Sequence, residues 1–262
     1  MDLGLEGRRA LVLASSRGLG LGIATTLVAE GATVLLTGRN AVRLEAAAAA
    51  LTDRGPGKAL AAPCDMADAD AVARLADAAA ERLGGVDILV NNTGGPAPGA
   101  VATLAPEVWS SAFTVMVERV IALTNALLPG MRAAGWGRIL TLTSSGVEQP
   151  IPNLGASNAL RATLVGWSKT LAAEIAADGV TANILIPGRI HTDRVDELDA
   201  AAAARAGKSV EEIAAASRAS IPMGRYGRVE EFAAVAAFLV SAQASYVTGA
   251  RIRCDGGMIR AI

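Results

Sequence analysis

Residues 9–30 read RALVLASSRGLGLGIATTLVAE, and this stretch decides the fold. The apolar run at 9–14 predicts a β-strand, and the segment 19–30 predicts a helix. Gly18 and Gly20 lie in the turn between them, where the missing side chains let backbone N–H groups approach a phosphate. Strand, glycine turn and helix, followed by a second strand, are typical of a dinucleotide-binding unit. In the purely structural alternative, the two glycines only make the turn.

The same alternation continues to the C-terminal end, with short apolar strands that are typical of parallel sheets covered on both faces. The sequence therefore predicts an α/β protein: a single Rossmann-type domain over 1–262, with a doubly wound parallel sheet and helices on both faces. The segment 193–220 is predicted as a helical excursion that covers the substrate. Further strands are predicted at 32–37, 59–64, 86–91, 138–143, 181–186 and 251–254, and further helices at 43–53, 69–83, 106–131, 158–177 and 229–239.

The composition of the chain argues against nucleic-acid-binding, membrane-spanning, secreted and metal-binding proteins. The chain has 262 residues, 52% of them hydrophobic, and a net charge of −1 without a basic stripe, which argues against nucleic-acid binding. No stretch is expected to span a membrane, and the N-terminal residues do not form a secretory signal. Cys64 and Cys254 lie far apart and belong to no metal or redox spacing. We expect a cytoplasmic protein without a metal site.

The end of the second strand bears on cofactor choice. A dinucleotide site that prefers NAD usually places an acid here to accept a hydrogen bond from the ribose 2′-OH. This chain has Gly38, which offers no carboxylate, followed by Arg39. Arg39, with Arg17 nearby, can bind a 2′-phosphate, so we expect NADP(H) rather than NAD(H). In the alternative, Arg39 is merely solvated.

Six motifs in order along the chain resemble the successive signatures of the short-chain dehydrogenase/reductase family. Their order and spacing fit the family over essentially the whole chain, and the nearest branch resembles the 3-oxoacyl-carrier-protein reductases. The motifs are SSRGLG at 15–20, DILVNNTG at 87–94, GRI at 137–139, PG at 187–188, VTG at 247–249 and DGG at 255–257.

The resemblance implies a set of cofactor contacts. The glycine loop would hold phosphates, Asp65 and Met66 would lie by the adenine, and the segments after the fourth and sixth strands would meet the ribose and the nicotinamide. Ala14 departs from the family, which has a glycine there. The cofactor residues implied are Ser15, Ser16, Arg17, Gly18, Leu19, Gly20, Arg39, Asp65, Met66, Asn92, Thr93, Gly94, Pro187, Gly188, Ile190 and Thr192.

The residues at the catalytic positions differ from those of the family more than the cofactor-binding residues do. The family uses a serine, a tyrosine, a lysine four residues after the tyrosine, and an asparagine from an earlier helix. Ser144 takes the serine position, and counting without gaps puts Ser157 at the tyrosine and Arg161 at the lysine position. Met116 stands at the asparagine position. A rival register, which spoils the downstream match, reads residues 156–159 as the family's Ala-Ser-Lys-Ala and puts residues 154 and 158 in the two places.

Two functions remain open. One is an NADP(H)-dependent oxidoreductase with an altered mechanism, in which Ser144 holds the oxygen of a small carbonyl or alcohol substrate and Arg161 stabilises its charge. A water held by Ser157 and Arg161 would then replace the tyrosine in part. Glu148 and His191 lie in loops that can flank the site, although a lone loop histidine is usually solvated. The other is a cofactor-binding protein with little turnover, acting as a sensor or assembly partner.

The resemblance also implies a homo-oligomer, a homotetramer or a homodimer. Pairing would use the long helices at 106–131 and 158–177 and the C-terminal segment. Small residues in the second helix, such as Ala159 and Gly166, allow close helix approach, although such packing also occurs inside monomers.

Overall fold

A computed structural model describes residues 1–261. Seven parallel strands form one sheet in the order β3-β2-β1-β4-β5-β6-β7. The predicted doubly wound parallel sheet is confirmed. The strands are β1 Arg9–Val12, β2 Thr33–Gly38, β3 Lys58–Pro63, β4 Ile88–Asn91, β5 Gly137–Leu142, β6 Val180–Pro187 and β7 Arg251–Cys254.

Helices cover both faces of the sheet. One face packs against α1, α2 and α9, and the other against α3, α5 and α6. The helices are α1 Gly18–Ala29, α2 Ala41–Thr52, α3 Ala71–Leu83, α4 Pro106–Phe113, α5 Arg119–Ala133, α6 Gly155–Ile175, α7 Asp193–Ala206, α8 Val210–Ala219 and α9 Val229–Leu239.

The two covered faces explain why the strands are continuously apolar. In β1, Ala10 and Val12 join the core under α1, α2 and α9, whereas Leu11 joins the core on the opposite face. Successive strand side chains point to opposite faces, so both sets must be apolar when both faces are buried.

The predicted helix 106–131 is divided by a π-helical turn at Thr114–Glu118, and α5 continues to Ala133. The wider turn brings Met116, Val117 and Val120 into one buried cluster with two leucines of α6. The helical run 106–133 has the length and apolarity of a membrane span, a test that buried core helices also pass, so the expectation that no stretch spans a membrane stays a prediction. Its buried residues pack against α3, α6 and the sheet.

The segment 193–220 consists of two helices. Gly207, with a φ of +62°, ends α7 in the left-handed conformation. Ser209 then starts α8 by accepting from Glu212 N–H, while the Glu212 carboxylate accepts from Ser209 N–H. This reciprocal capping fixes the start of the second helix.

The packing of α1 directs its N-terminus at the carboxyl edge of the sheet. A Cβ on Gly20 would lie 2.5 Å from the Ala14 carbonyl oxygen, and one on Gly22 would lie 2.1 Å from Val229 Cγ1 of α9. Glycine at these positions therefore lets α1 lie against the end of β1 and against α9 at the same time.

Candidate active site

A cavity of about 910 Å³ lies at the carboxyl edge of the sheet. Parallel strands bring their loops to this edge, which is where open α/β sheets bind ligands. Most of the cofactor positions implied by the sequence line it: Arg17, Gly18, Leu19, Asn92, Thr93, Gly94, Pro187, Gly188, Ile190 and Thr192.

The glycine loop fits a phosphate-bearing cofactor. The N-terminus of α1 has no side-chain cap and no acid in its first turn, so its first N–H groups remain available to an anion. Ala14 occupies the family's first glycine position with a φ of +48°, a left-handed conformation that is rare for residues with a Cβ. The backbone thus keeps the glycine-like turn although a methyl group is present.

Ser15 supports the glycine loop from inside the protein. It is completely buried, and its hydroxyl donates to the Val12 carbonyl oxygen at 2.7 Å and accepts from Thr37 N–H at 2.9 Å. Its own N–H donates to the Thr37 carbonyl oxygen at 2.8 Å. Because these groups are all bonded within the protein, they support the loop, and the cofactor contact implied for Ser15 stays a prediction.

Arg17 makes ion pairs across the mouth of the cavity. Its guanidinium pairs with Asp193 at 3.0 Å and Glu197 at 3.6 Å, both on α7. It therefore connects the glycine loop to the helical excursion. Arg39, the other arginine considered for the 2′-phosphate, is exposed and makes no ion pair with any residue between 1 and 261.

Besides Ser15, five of the implied cofactor positions do not line the cavity: Ser16, Gly20, Arg39, Asp65 and Met66. A Cβ on Gly38 would lie 3.2 Å from Ser16 Oγ, so the serine stands at the end of β2 next to Arg39. Asp65 and Met66 are half-buried after β3. Gly20 is buried against Ala14, and the Asn92 amide donates to the Ala14 carbonyl oxygen at 3.3 Å. Gly20 and Asn92 thus hold the loop in shape.

Ser144, Ser157 and Arg161 line the same cavity. Ser157 and Arg161 lie one turn apart on α6, with Arg161 Nε donating to Ser157 Oγ at 3.4 Å. Ser144 follows β5, and its Oγ accepts from Gly146 N–H at 3.1 Å. The geometry therefore brings the three sequence-derived catalytic candidates to one wall.

The rival register is less compatible with the structure. Leu154 also lines the cavity, but Asn158 does not, because its amide donates to the Ile151 carbonyl oxygen at 2.9 Å. Asn158 Oδ1 lies against Gly146, where a Cβ would be 2.2 Å away. Asn158, which the rival register places at the lysine position, thus packs against the loop before α6 and stabilises it.

Arg161 is a buried cation without a carboxylate partner among residues 1–261. Its Nη1 donates to the Leu142 carbonyl oxygen at 3.2 Å, and its Nη2 donates to the Thr93 carbonyl oxygen at 3.0 Å. Desolvation, with the positive charge of Arg194 second, lowers the pKa of Arg161 to about 10. The guanidinium remains charged at neutral pH and cannot readily relay a proton there.

No tyrosine, lysine or histidine lines this cavity within the described chain. Tyr226 donates to buried Asp199 at 2.6 Å, and Tyr246 is fully exposed. His191 is exposed, lies 3.3 Å from Asp196 and lines a separate smaller cavity. The expectation that His191 can flank the catalytic positions is therefore wrong.

Glu148 is likewise not a flanking group of the site. Its carboxylate pairs with Arg251 at 3.1 Å and Arg253 at 2.5 Å, so it anchors β7. Met116 is buried with Leu160 and Leu164 of α6 and does not line the cavity. The side chain at the family's asparagine position therefore contributes packing behind α6.

Sequence reasoning missed several cavity residues. Thr143 is buried beside Ser144 with an unpartnered hydroxyl, and Arg189, Arg194, Arg205 and Arg260 also line the cavity. Their approach depends on how α7, α8 and the C-terminal segment fold over the sheet. The abundance of arginine over lysine is visible in the sequence, but its placement is not.

Comparison with known proteins gives matches over almost the whole chain. A family model described as enoyl-(acyl carrier protein) reductase matches residues 13–259. The 3-oxoacyl-(acyl-carrier-protein) reductase of Vibrio cholerae is 34% identical over 258 residues, covering 98% of this chain and 99% of that protein. The matched ranges contain the glycine loop and all three catalytic candidates.

Solved structures of reductases have the same fold over almost the whole chain. The L-sorbose reductase of Gluconobacter frateurii, complexed with NADPH and L-sorbose, has a TM-score of 0.95 and 32% identity, with 100% of both chains covered. A 3-oxoacyl (acyl-carrier-protein) reductase of Agrobacterium tumefaciens with NADP bound has a TM-score of 0.88 and 32% identity, covering 97% of this chain and 95% of that one.

The role of Ser15 can be tested against its neighbour. Ser15→Ala should lower the free energy of unfolding by about 1–3 kcal/mol, because buried backbone groups of residues 12 and 37 lose their partner. The matched change Ser16→Ala should stay within about 0.5 kcal/mol of the wild type. Urea denaturation measures both. Unchanged stability with weakened cofactor binding in Ser15→Ala would show that the hydroxyl contacts the cofactor.

Proposed function

The chain belongs to the short-chain dehydrogenase/reductase family, and on that premise we propose that it is an NADP(H)-dependent oxidoreductase without a catalytic tyrosine. It would reduce a carbonyl compound to an alcohol, or run the reverse reaction, in the manner of its 3-oxoacyl reductase relatives. The observation that carries this proposal is the convergence of Ser144, Ser157 and Arg161 on the cavity that contains the glycine loop.

A bound NADPH would supply the hydride. Ser144 Oγ accepts from Gly146 N–H, which leaves its own proton free to donate to the carbonyl oxygen of the substrate. Arg161 places a fixed positive charge at the same wall, where negative charge develops on that oxygen. A preorganised charge in a partly dry site stabilises such an oxyanion far more than water does.

The proton for the alkoxide must come through another route than a tyrosine. Ser157 Oγ accepts from Arg161 Nε and can hold a water molecule in the cavity. A serine hydroxyl is itself too weak an acid to replace a tyrosine, whose pKa starts near ~10. We therefore assign the proton to solvent, delivered through a water that Ser157 orients.

A specific observation favours a second candidate function. No tyrosine, lysine or histidine of residues 1–261 lines the cavity, so a tuned general acid is missing, and losing one typically lowers a rate by ~10²–10⁴. A cofactor-binding protein with little turnover, acting as a sensor or assembly partner, fits that absence. The retained serine and the fixed charge of Arg161 favour the enzyme.

The surrounding features fit a small-molecule substrate. The helices α7 and α8 contribute Val195, Leu198 and Ser217 to the cavity wall, as a substrate-covering segment would. The N-terminus of α1 and exposed Arg39 suit a phosphate-rich cofactor, and similar reductases were solved with NADPH or NADP. We also propose a cytoplasmic location; Cys64 and Cys254 are both free thiols.

Cofactor preference tests the role of Arg39. NADPH should bind more tightly than NADH, and Arg39→Ala should weaken NADPH about tenfold or more while leaving NADH unchanged, because a charge-assisted contact to the 2′-phosphate is lost. Arg54→Ala is the matched control: it removes an equally exposed arginine beyond the far end of α2. Calorimetric titration of both cofactors measures the affinities. Equal affinities in the wild type would refute the preference.

Substitutions on α6 test the altered mechanism. With NADPH and a panel of ketones and 3-oxoacyl thioesters, Arg161→Ala should lower kcat/KM more than Ser157→Ala, since the charge is the main stabiliser of the alkoxide. The double change Ser157→Tyr with Arg161→Lys should raise kcat by up to about 10²–10⁴, because a general acid is restored. Ser157→Tyr and Arg161→Lys alone are the controls.

The pH profile gives a second readout of the same mechanism. Arg161 is protonated below its pKa of about 10, so the wild-type rate should show no arginine titration near neutrality and should fall as the pH passes about 10. The double variant should add a step set by the new tyrosine. Tight NADPH binding without turnover of any carbonyl compound, in the wild type and the double variant alike, would favour the second candidate function.

Association between copies is expected through α4, α5 and α6. The outward face of α6 carries small exposed residues, among them Ala159, Ala162, Gly166 and Ala173, and Phe113 at the end of α4 is exposed. We propose a homodimer or homotetramer that buries these faces. Light scattering at micromolar concentration should give the mass of two or four chains, and the mass of one chain would refute the proposal.

A further inference from the structure

We propose that the carbonyl substrate of this site is an oxo acid, whose carboxylate is bound by Arg161 and guided by Arg205 and Arg260. This inference rests on the proposed function, since it names the substrate class of the same cavity. Its basis is an excess of cationic groups that the folded chain itself leaves without partners.

Arg161 has unused binding capacity at the reacting end of the cavity. A guanidinium carries five N–H donors, and Arg161 uses three of them, one each on Ser157 Oγ, the Leu142 carbonyl oxygen and the Thr93 carbonyl oxygen. One donor on each terminal nitrogen is left, and these donors are available to a carboxylate. All three existing acceptors are neutral, so the positive charge is uncompensated.

The other arginines of the cavity divide into two groups. Arg17 pairs with Asp193, Arg189 with Asp199, and Arg194 with Glu197. In contrast, Arg205 and Arg260 make no ion pair and donate no hydrogen bond to any residue in 1–261. Both line the cavity, one at the end of α7 and one in the C-terminal segment. Both residues are exposed at the cavity, and the one lining acid, Asp193, is already paired, so no carboxylate of the cavity lining neutralises them.

The cofactor does not account for these charges. Its phosphates would lie at the glycine loop and the N-terminus of α1, where a phosphate-binding site is already formed. Arg161, Arg205 and Arg260 come from α6, α7 and the C-terminal segment instead. The anion that they select is therefore a second one, carried by the substrate.

The position of Arg161 next to the two serines sets the kind of anion. Ser144 and Arg161 line the same cavity, so one small molecule can place a ketone at Ser144 and a carboxylate at Arg161. Oxo acids carry both groups, as do hydroxy acids in the reverse direction. Ser217 and Ser220 of α8, which also line the cavity, offer neutral hydroxyls and add no negative charge.

A matched pair of probes tests the inference. Acetoacetate and its ethyl ester share the reacting ketone and differ in the charge. With NADPH, kcat/KM for acetoacetate should exceed that for the ester at least tenfold and should fall with added salt, whereas the ester should show little salt dependence. The double variant Arg205→Gln with Arg260→Gln should raise KM for acetoacetate about fivefold with kcat unchanged, and should leave the ester unaffected. Arg54→Gln is the control for a general change of charge.

A binding measurement separates this inference from the proposed function. Calorimetry of 3-hydroxybutanoate with the NADPH complex measures binding without turnover, because ligand and cofactor are both in the reduced form, and its affinity should fall in the double variant. Reduction of the ester without turnover of acetoacetate or binding of 3-hydroxybutanoate would overturn the inference and leave the oxidoreductase standing. Binding of the acid without reduction of either probe would keep the anion site and overturn the proposed function. Absence of both binding and turnover would overturn both.

Discussion

The contact between Gly20 of α1 and the backbone of Ala14 fixes the geometry on which the site depends. No side chain fits between them, since a Cβ would lie 2.5 Å from the Ala14 carbonyl oxygen. The first turn of α1 is therefore aimed at the carboxyl edge of the sheet, where its free N–H groups favour an anion. Asn92, at the end of β4, donates to the same carbonyl oxygen and joins the two central strands at this point. The loops that follow the other strands then enclose the cavity.

Arg161 has a structural role that a lysine at the same position would not fill equally. Its two terminal nitrogens bond the Thr93 carbonyl oxygen after β4 and the Leu142 carbonyl oxygen at the end of β5. The planar guanidinium reaches both carbonyls at once, whereas an ammonium is a single point charge. The chain thus combines a tie between two neighbouring strand ends with a fixed charge, and it gives up the pairing by which a lysine lowers the pKa of a tyrosine.

The sequence predicted the fold and the convergence of Ser144, Ser157 and Arg161 on one cavity because both depend on local order and spacing. The glycine turn, the apolar strands and the gap-free distance from Ser144 to Ser157 are properties of the chain itself. The roles of Ser15, Arg17 and Glu148 were not predictable in the same way, because each is decided by a partner distant in sequence. Ser15 bonds Thr37, Arg17 pairs with Asp193, and Glu148 pairs with Arg253. Motif position alone does not distinguish a loop-supporting hydroxyl from one that faces the cofactor.

The free energy of the buried charge shows why its placement matters. Desolvation lowers the pKa of Arg161 from its ordinary value to about 10, which corresponds to roughly 3 kcal/mol against the charged form in the folded state. Because the unfolded chain holds this proton more tightly, the penalty is fully present at neutral pH and is relieved only as the pH rises above about 10. A neutral side chain would avoid the penalty but would leave the Thr93 and Leu142 carbonyl oxygens without a donor.

A charged Arg161 is therefore desolvated, and a neutral side chain in its place would leave two carbonyl oxygens without a donor. An anion bound in the cavity would offset the desolvation penalty and keep both hydrogen bonds. A negative charge beside the guanidinium raises its pKa again and offsets part of the desolvation penalty that Arg161 carries in the free protein. Binding of an anion therefore stabilises the folded protein. The same reasoning applies to a developing alkoxide, whose charge appears only during the reaction. A cation placed at the cavity wall, rather than paired in the core, favours the charged state of the ligand over the neutral one.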